Sequence, residues 1–111
     1  MIVYIDNRVY DVLDQFYEVS MRNHITLDYQ TVAAKIDRLE KAMNDFAPYA
    51  EKFHRKPYRR DWQEAGYYEY DVERFHFAYC VYQLPSGEKV LYYHDAVHDT
   101  LNYNPEDKQP K

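Results

Sequence analysis

The sequence predicts an α+β domain, in which two helices pack on one face of an antiparallel sheet in the order β-α-α-β-β-β. Two observations carry this prediction. The first half of the chain repeats apolar residues at helical spacing, and the second half alternates apolar and polar residues with a period of two. Helices that are separated in the chain from a run of strands are typical of this class. We expect the other face of the sheet to stay open.

The first strand and the first helix occupy the start of the chain. Residues 1–6 are rich in β-branched and aromatic side chains, which favour a short strand. Asp6 or Asn7 can cap a helix that runs from residue 8 to about residue 21. Its apolar stripe consists of Val9, Val12, Leu13, Phe16 and Tyr17.

A second amphipathic helix follows. Apolar residues recur over five turns and predict one buried face. Pro48 cannot continue the backbone hydrogen bonds, so the helix is expected to end near Ala47. Its stripe consists of Tyr29, Val32, Ala33, Ile36, Leu39, Met43 and Phe46.

Three strands in a meander complete the predicted sheet. Apolar and polar residues alternate from Tyr68 to Glu73 and again from Phe75 to Tyr82, with a tight reversal near Glu73-Arg74. The turn residues 85–88 then lead into a strand from residue 89 to about residue 97. We expect the first strand to join this sheet, because its backbone groups need partners.

The chain is predicted to be one domain over residues 1–103, followed by a flexible polar tail over residues 104–111. Its 111 residues suffice for a core without a structural metal. The lone Cys80 excludes an internal disulfide, which agrees with a reducing compartment. The sequence shows neither a signal peptide nor an apolar run of membrane-spanning length. We therefore expect a cytoplasmic protein that makes no membrane contact.

A short segment concentrates the positive charge. The formal net charge is -5, from 14 basic and 19 acidic side chains, so the molecule as a whole should not be drawn to polyanions. Any anion-binding surface is expected to begin at residues 52–60, which we call the basic segment. Its cations, the candidate RNA-binding residues, are Lys52, Arg55, Lys56, Arg59 and Arg60.

The strands resemble those of a toxin family. The element order resembles the RelE/ParE fold of type II toxin-antitoxin modules, and residues 66–79, GYYEYDVERFHFAY, look like the family's GLYRLRVGDYRVIY. Residues 96–103, AVHDTLNY, are similar to the family's VGHRKEVY, with His98 and Tyr103 at the same separation. In pattern, the resemblance covers residues 1–103.

The resemblance implies a small toxin, either a ribosome-dependent endoribonuclease that acts on mRNA or a gyrase inhibitor. A cognate antitoxin would cover the open face of the sheet. The nuclease branch implies no metal and no cofactor, and it makes His98 and Tyr103 candidate catalytic residues.

Metal-free RNA cleavage needs a base for the 2′-hydroxyl, cations for the phosphate and an acid for the leaving 5′-oxygen. Glu69 or Asp71 is the candidate base. These two residues and His76 stand where the family often has arginines, so the phosphate contacts are expected from the basic segment. The candidate proton donors are His76, His94 and His98.

The same residues also have structural explanations. A basic segment after a helix can satisfy the terminal carbonyls, and Glu69 and Asp71 can form the solvated side of a strand. Trp62 is expected to cover part of the core. A metal site at His94 and His98 is not expected, because a regular strand would place them on one face about 13 Å apart.

A second hypothesis is a protein-binding module of the same fold, whose open tyrosine-rich sheet face binds a protein segment. Tyrosine is enriched at interfaces, and the chain has 14. A concave face lined by Arg59, Arg60, His98 and Tyr103 favours the nuclease. An acidic face with the basic segment pointing away favours the binding module.

Overall fold

The computed structural model describes residues 1–23 and 29–99. Four of the described segments are strands of one sheet, and two long helices lie between the first strand and the others in the chain. The elements are β1 (Ile2–Ile5), α1 (Asn7–Asn23), α2 (Tyr29–Asp45), a 3-10 turn (Ala47–Tyr49), α3 (Arg60–Ala65), β2 (Tyr68–Val72), β3 (Phe75–Gln83) and β4 (Lys89–His98).

The sheet has the order β1-β4-β3-β2 and is mixed. The predicted α+β class and the order β-α-α-β-β-β are confirmed, and β1 joins the sheet as expected. However, β1 runs parallel to β4, with Ile2 opposite Val90 and Ile5 opposite Tyr93, whereas the other pairs are antiparallel. Parallel pairing is open to β1 because three helices and two strands of the described chain separate it from β4, so no hairpin constrains its direction.

The main core lies between the long helices and one side of the sheet, which we call the helix face. Val9, Val12, Leu13 and Phe16 of the first predicted stripe and Ile36, Leu39, Met43 and Phe46 of the second supply the helical half. Helix α1 begins where the Asp6 carboxylate accepts the backbone N–H of Arg8 at 2.9 Å. The wholly buried core residues include Val9, Leu13, Leu39, Met43, Phe75, Phe77, Leu91 and Tyr93.

Among the described helices, none combines the length and the apolarity that a membrane span requires.

Two tyrosines lie fully inside this core. Tyr93 donates its hydroxyl to the backbone carbonyl of Met43 at 2.7 Å, and Tyr79 donates to the carbonyls of Ala50 and Phe53. Burial raises the pKa of both hydroxyls, so they remain neutral donors. Each ring therefore buries apolar area without leaving its hydroxyl unsatisfied.

A β-bulge in β4 changes which side chains face each way. Tyr79 lies opposite Tyr93 and Ala78 lies opposite Asp95, so His94 is an extra residue. His94 and Asp95 consequently both point away from the long helices, towards what we call the outer face. The expectation that His94 and His98 share a face is wrong, because the bulge reverses the alternation between them.

The outer face is only partly open. The helix α3, which the sequence did not predict, ends at Gly66 with φ +80° and places Trp62 against Ala78 and Val97. Trp62 is 2 % exposed, and its indole N–H donates to Asp95 at 3.1 Å. The expected core cover is thus confirmed for Trp62, but it covers the outer face, which α3 divides into two surfaces.

Replacing Trp62 with alanine is expected to lower the free energy of unfolding by about 3 to 5 kcal/mol, because it removes a fully buried ring and leaves a cavity. Urea denaturation would measure the loss. Tyr49→Ala, at an exposed position, is the control and should change stability by less than about 0.5 kcal/mol. A loss below about 1 kcal/mol for Trp62→Ala would contradict the packing of α3 on the sheet.

Candidate functional site

A groove on the outer face brings together some of the polar residues that the sequence analysis identified, from the basic segment and from strands β2 and β3. It lies beside α3, above β2, β3 and the end of β4, and encloses about 220 Å³. Trp62 and Val97 form an apolar wall. The polar lining consists of Arg55, Tyr58, Arg59, Glu69, His76 and Asp99.

His76 lies at the centre of this groove and contacts three carboxylates. Its Nδ1 is 3.1 Å from Glu69 Oε2 and 2.8 Å from Asp71 Oδ1, and its Nε2 is hydrogen-bonded to Asp99 Oδ1. Strand register explains the cluster. Asp71 is directly opposite His76, whereas Glu69 and Asp99 occupy diagonal positions on the same face.

The carboxylates keep His76 protonated. Hydrogen bonds to Asp71 and Glu69, and a further one to Asp99, raise the pKa of His76 to about 10 against the opposing effect of burial. Burial has the opposite effect on Asp71, where it favours a higher pKa. Hydrogen bonding to His76 and the charge of Arg55 nevertheless hold the pKa of Asp71 below its usual value. The groove therefore holds an imidazolium at neutral pH, with both ring N–H groups donating.

Glu69 is the most deeply buried charged residue of the groove, with 2 % of its surface exposed. One carboxylate oxygen accepts from His76, and the other accepts the backbone N–H of Tyr58 at 3.2 Å. The backbone N–H of Glu69 donates to the carbonyl of Arg55 at 3.1 Å, which ties the basic segment to the edge of β2. The structural explanation, in which Glu69 forms part of the solvated side of a strand, is therefore wrong for this residue.

Two arginines of the basic segment line the groove, and both are paired with carboxylates. Arg55 Nη1 is 2.9 Å from Asp71 Oδ2. Arg59 donates to both oxygens of Asp61, at 3.0 and 2.8 Å, and its guanidinium lies 5.3 Å from the centre of the Trp62 ring. The groove therefore contains nearly balanced charge.

The other cations of the basic segment lie outside the groove. Arg60 pairs with Glu64 one turn along α3, at 2.9 Å. Lys52 and Lys56 are exposed, and neither makes an ion pair within residues 1–23 and 29–99. These lysines are the cations of the segment that remain available to an external anion.

The candidate catalytic residues are not all brought together. His98 lies on the helix face, where its ring centre is 4.6 Å from that of Phe75 and 5.4 Å from that of Phe16, and burial lowers its pKa. The sheet therefore separates His98 from Glu69 and Asp71. Tyr103 lies outside the described residues. The nuclease hypothesis expected a basic concave face, and the binding hypothesis expected an acidic face with the basic segment pointing away. Neither is present in full, because Arg59 and the acidic residues share one groove.

The role of Asp99 was not predicted from the sequence. Its backbone N–H donates to the Arg74 carbonyl at 3.1 Å, and Arg74 Nε lies 3.6 Å from its side chain. Arg74 belongs to a two-residue turn in which Glu73 and Arg74 have φ values of 48° and 72°. Only the register of β3 and β4 brings Asp99 to His76, and the bulge makes that register hard to foresee.

Glu69, Asp71 and His76 also form a possible ligand set for a cation, since their ligand atoms lie within 4.8 Å of one another. Because an imidazole must be neutral to bind a metal, a bound cation would have to displace the ring proton that these carboxylates stabilise. The three side chains satisfy one another through ion pairs.

A second surface lies on the other side of α3, and we call it the aromatic row. The ring of Tyr67 stacks on His94 at 4.4 Å, His94 lies 4.2 Å from Tyr92, and Tyr92 stacks on Tyr4 at 4.7 Å. Tyr82 packs edge-on against His94 and Tyr92. The row runs along β4 and reaches the edge strand β1.

Hydrogen bonds hold the row in place. The Tyr82 hydroxyl is 2.7 Å from His94 Nε2, and Tyr92 donates to Asp6 at 2.7 Å. Burial lowers the pKa of His94. The exposed fraction is nevertheless 52 % for Tyr4 and 45 % for Tyr82, so the row presents aromatic edges to solvent.

The imidazolium predicts a loss of stability at high pH. Because the pKa of folded His76 is raised to about 10 from an unfolded value near 6.5, its stabilisation is complete below about pH 6.5 and is lost as the pH rises to 10. The free energy of unfolding should fall by roughly 1 to 3 kcal/mol across this window through His76 alone. Urea titrations of wild type and His76→Gln would show the smaller decline in the variant. His54→Gln, an exposed histidine outside the groove, should decline as wild type does, and equal slopes in all three proteins would disprove the cluster.

No protein-family model matches the chain, and neither does any curated protein or solved structure. The groove and the aromatic row are therefore the features from which a function is inferred.

Proposed function

We propose that the chain is the toxin-like component of a type II toxin-antitoxin pair, acting in the cytoplasm as a metal-independent endoribonuclease on mRNA. The observation that supports this proposal most is the pairing of a buried carboxylate, Glu69, with a protonated imidazole, His76, at 3.1 Å in a groove lined by two arginines. A base, an acid and phosphate-binding cations are the groups that the reaction requires.

In the proposed reaction, Glu69 takes the proton of the 2′-hydroxyl as that oxygen attacks the adjacent phosphorus. The bond from phosphorus to the 5′-oxygen breaks, and His76 donates its proton to the leaving oxygen. The products are a 2′,3′-cyclic phosphate and a 5′-hydroxyl. Arg55 and Arg59 would bind the phosphate, exchanging part of their contact with Asp71 and Asp61 for the substrate.

Asp71 and Asp99 act as positioning residues in this proposal, because they hold the two nitrogens of His76. The raised pKa keeps the proton on the ring until the leaving oxygen can accept it. His76 thereby takes the role of proton donor that the sequence shared among three histidines, and His98 has a packing role on the other face.

Glu69→Gln and His76→Gln should each reduce mRNA cleavage in a purified translation mixture by about 100- to 10,000-fold. Glu64→Gln, a carboxylate of α3 outside the groove, is the matched control and should cleave as wild type does. Circular dichroism would confirm that each variant is folded. Unchanged cleavage in both groove variants would overturn the proposed reaction.

Expression in cells provides an independent readout. Wild type should arrest growth, and the Arg59→Ala/Arg60→Ala double variant should relieve the arrest because it removes two cations of the basic segment. Normal growth and translation with folded wild-type protein would contradict a toxic role.

The aromatic row favours a second candidate function, a non-catalytic protein-binding module. Its exposed tyrosines have the composition of an interface core, and α3 leaves them uncovered. The formal net charge of -5 also suits a protein partner better than a nucleic acid. In a toxin pair the same surface would bind the cognate antitoxin, so the row is compatible with both candidates.

Co-expression with the protein encoded by the neighbouring open reading frame tests this surface. Tyr4→Ala/Tyr82→Ala should weaken the complex by about tenfold or more, because exposed tyrosines often dominate binding. Tyr49→Ala, at another exposed tyrosine that is not a member of the row, should leave the affinity unchanged. An affinity for the double variant within twofold of wild type would exclude the row as the interface.

A further inference from the structure

Tyr58 stands at the mouth of the groove with 71 % of its surface exposed. We propose that Tyr58 stacks on a nucleobase next to the cleaved bond, so that the groove accepts unpaired RNA and rejects duplex. The inference deepens the proposed function, because it depends on RNA binding in this groove. It assigns a specificity role to a residue without an acid–base role.

The backbone of Tyr58 is held on both sides while its ring is not. The N–H of Tyr58 donates to the Glu69 carboxylate at 3.2 Å. The Gln63 side chain donates to the carbonyl of buried Pro57 at 2.7 Å and to that of Tyr58 at 3.4 Å. Pro57 further restricts the chain through its fixed φ. The ring is therefore presented from a rigid point one hydrogen bond away from the proposed base.

The ring of Tyr58 has no stacking partner or hydroxyl hydrogen bond among residues 1–23 and 29–99. This distinguishes it from Tyr4 and Tyr92 of the aromatic row, which stack on each other, and from Tyr67, which stacks on His94. An aromatic ring on a fixed backbone can accept a base at low entropic cost, and every base offers a π-face. A base within a duplex is stacked on both sides, so it cannot reach this ring.

Charge around Tyr58 supports a nucleic acid rather than an uncharged aromatic ligand. Lys56 lies two residues before it and, with Lys52, is an exposed cation that lacks an ion pair in the described part of the chain. Arg55 and Arg59 line the groove on either side of it in sequence. A strand whose base rests on Tyr58 would run its phosphates along the basic segment, in the combination of cations and aromatic rings typical of single-strand binding.

The test separates binding from cleavage by using a fluorescein-labelled 2′-O-methyl RNA of about 12 nucleotides, which lacks the attacking hydroxyl. Fluorescence anisotropy should show that wild type prefers the single strand to the same sequence in a duplex. Tyr58→Leu should weaken single-strand binding by about 5- to 100-fold, whereas Tyr58→Trp should retain it. Tyr49→Leu, another exposed tyrosine near the basic segment, is the matched control and should bind as wild type does.

Three results would overturn the inference: no binding of the single strand by wild type, equal binding of the duplex, or an affinity of Tyr58→Leu within twofold of wild type. Its failure is distinguishable from failure of the proposed function. If cleavage depends on Glu69 and His76 but Tyr58→Leu binds normally, only the stacking role is wrong. If Tyr58 governs binding while no cleavage occurs, the groove binds single strands and the nuclease proposal is wrong.

Discussion

One extra residue in β4 decides which side chains reach each face of the sheet. Up to Tyr93 the alternation puts Leu91 and Tyr93 into the core, and a regular strand would place Asp95 there next. With His94 as the bulged residue, Ala96 enters the core instead, and Asp95 turns outwards to accept the Trp62 indole. The position of α3 on the sheet and the side chains available on both outer surfaces therefore depend on this bulge.

The ion cluster of the groove is difficult to explain by stability alone. Burying Glu69 costs desolvation energy that its contacts with His76 and Tyr58 must offset, and an apolar pair of similar volume often stabilises as well. Buried titratable groups with a strongly raised pKa are enriched at functional sites. The cluster is thus better explained by a functional role than by a gain in stability. The fold accommodates it because Arg55 and Arg74 pair with Asp71 and Asp99 and offset the surplus of carboxylates.

Periodic patterns were sufficient to predict the long helices and the meander, including the reversal at Glu73-Arg74, because each has a buried face that repeats. They could not predict α3, whose six residues contain one large apolar side chain, Trp62. For the site, Glu69, Asp71 and the arginines follow from strand alternation and local charge. The placements of His98 and Asp99 do not, because the bulge changes which face of the sheet the following residues occupy. The apolar and polar pattern of the strand does not reveal the bulge.

The bulge also links the two outer surfaces. His94 belongs to the aromatic row, and its neighbour Asp95 holds Trp62, the apolar wall of the groove. A protein bound on the row would press on His94 and Tyr67, and Tyr67 packs against the cluster around Trp62. The two surfaces therefore share one wall, because contacts run from the row through Asp95 and Tyr67 to Trp62. In a toxin-antitoxin pair, this arrangement would let inhibition and RNA binding use separate surfaces.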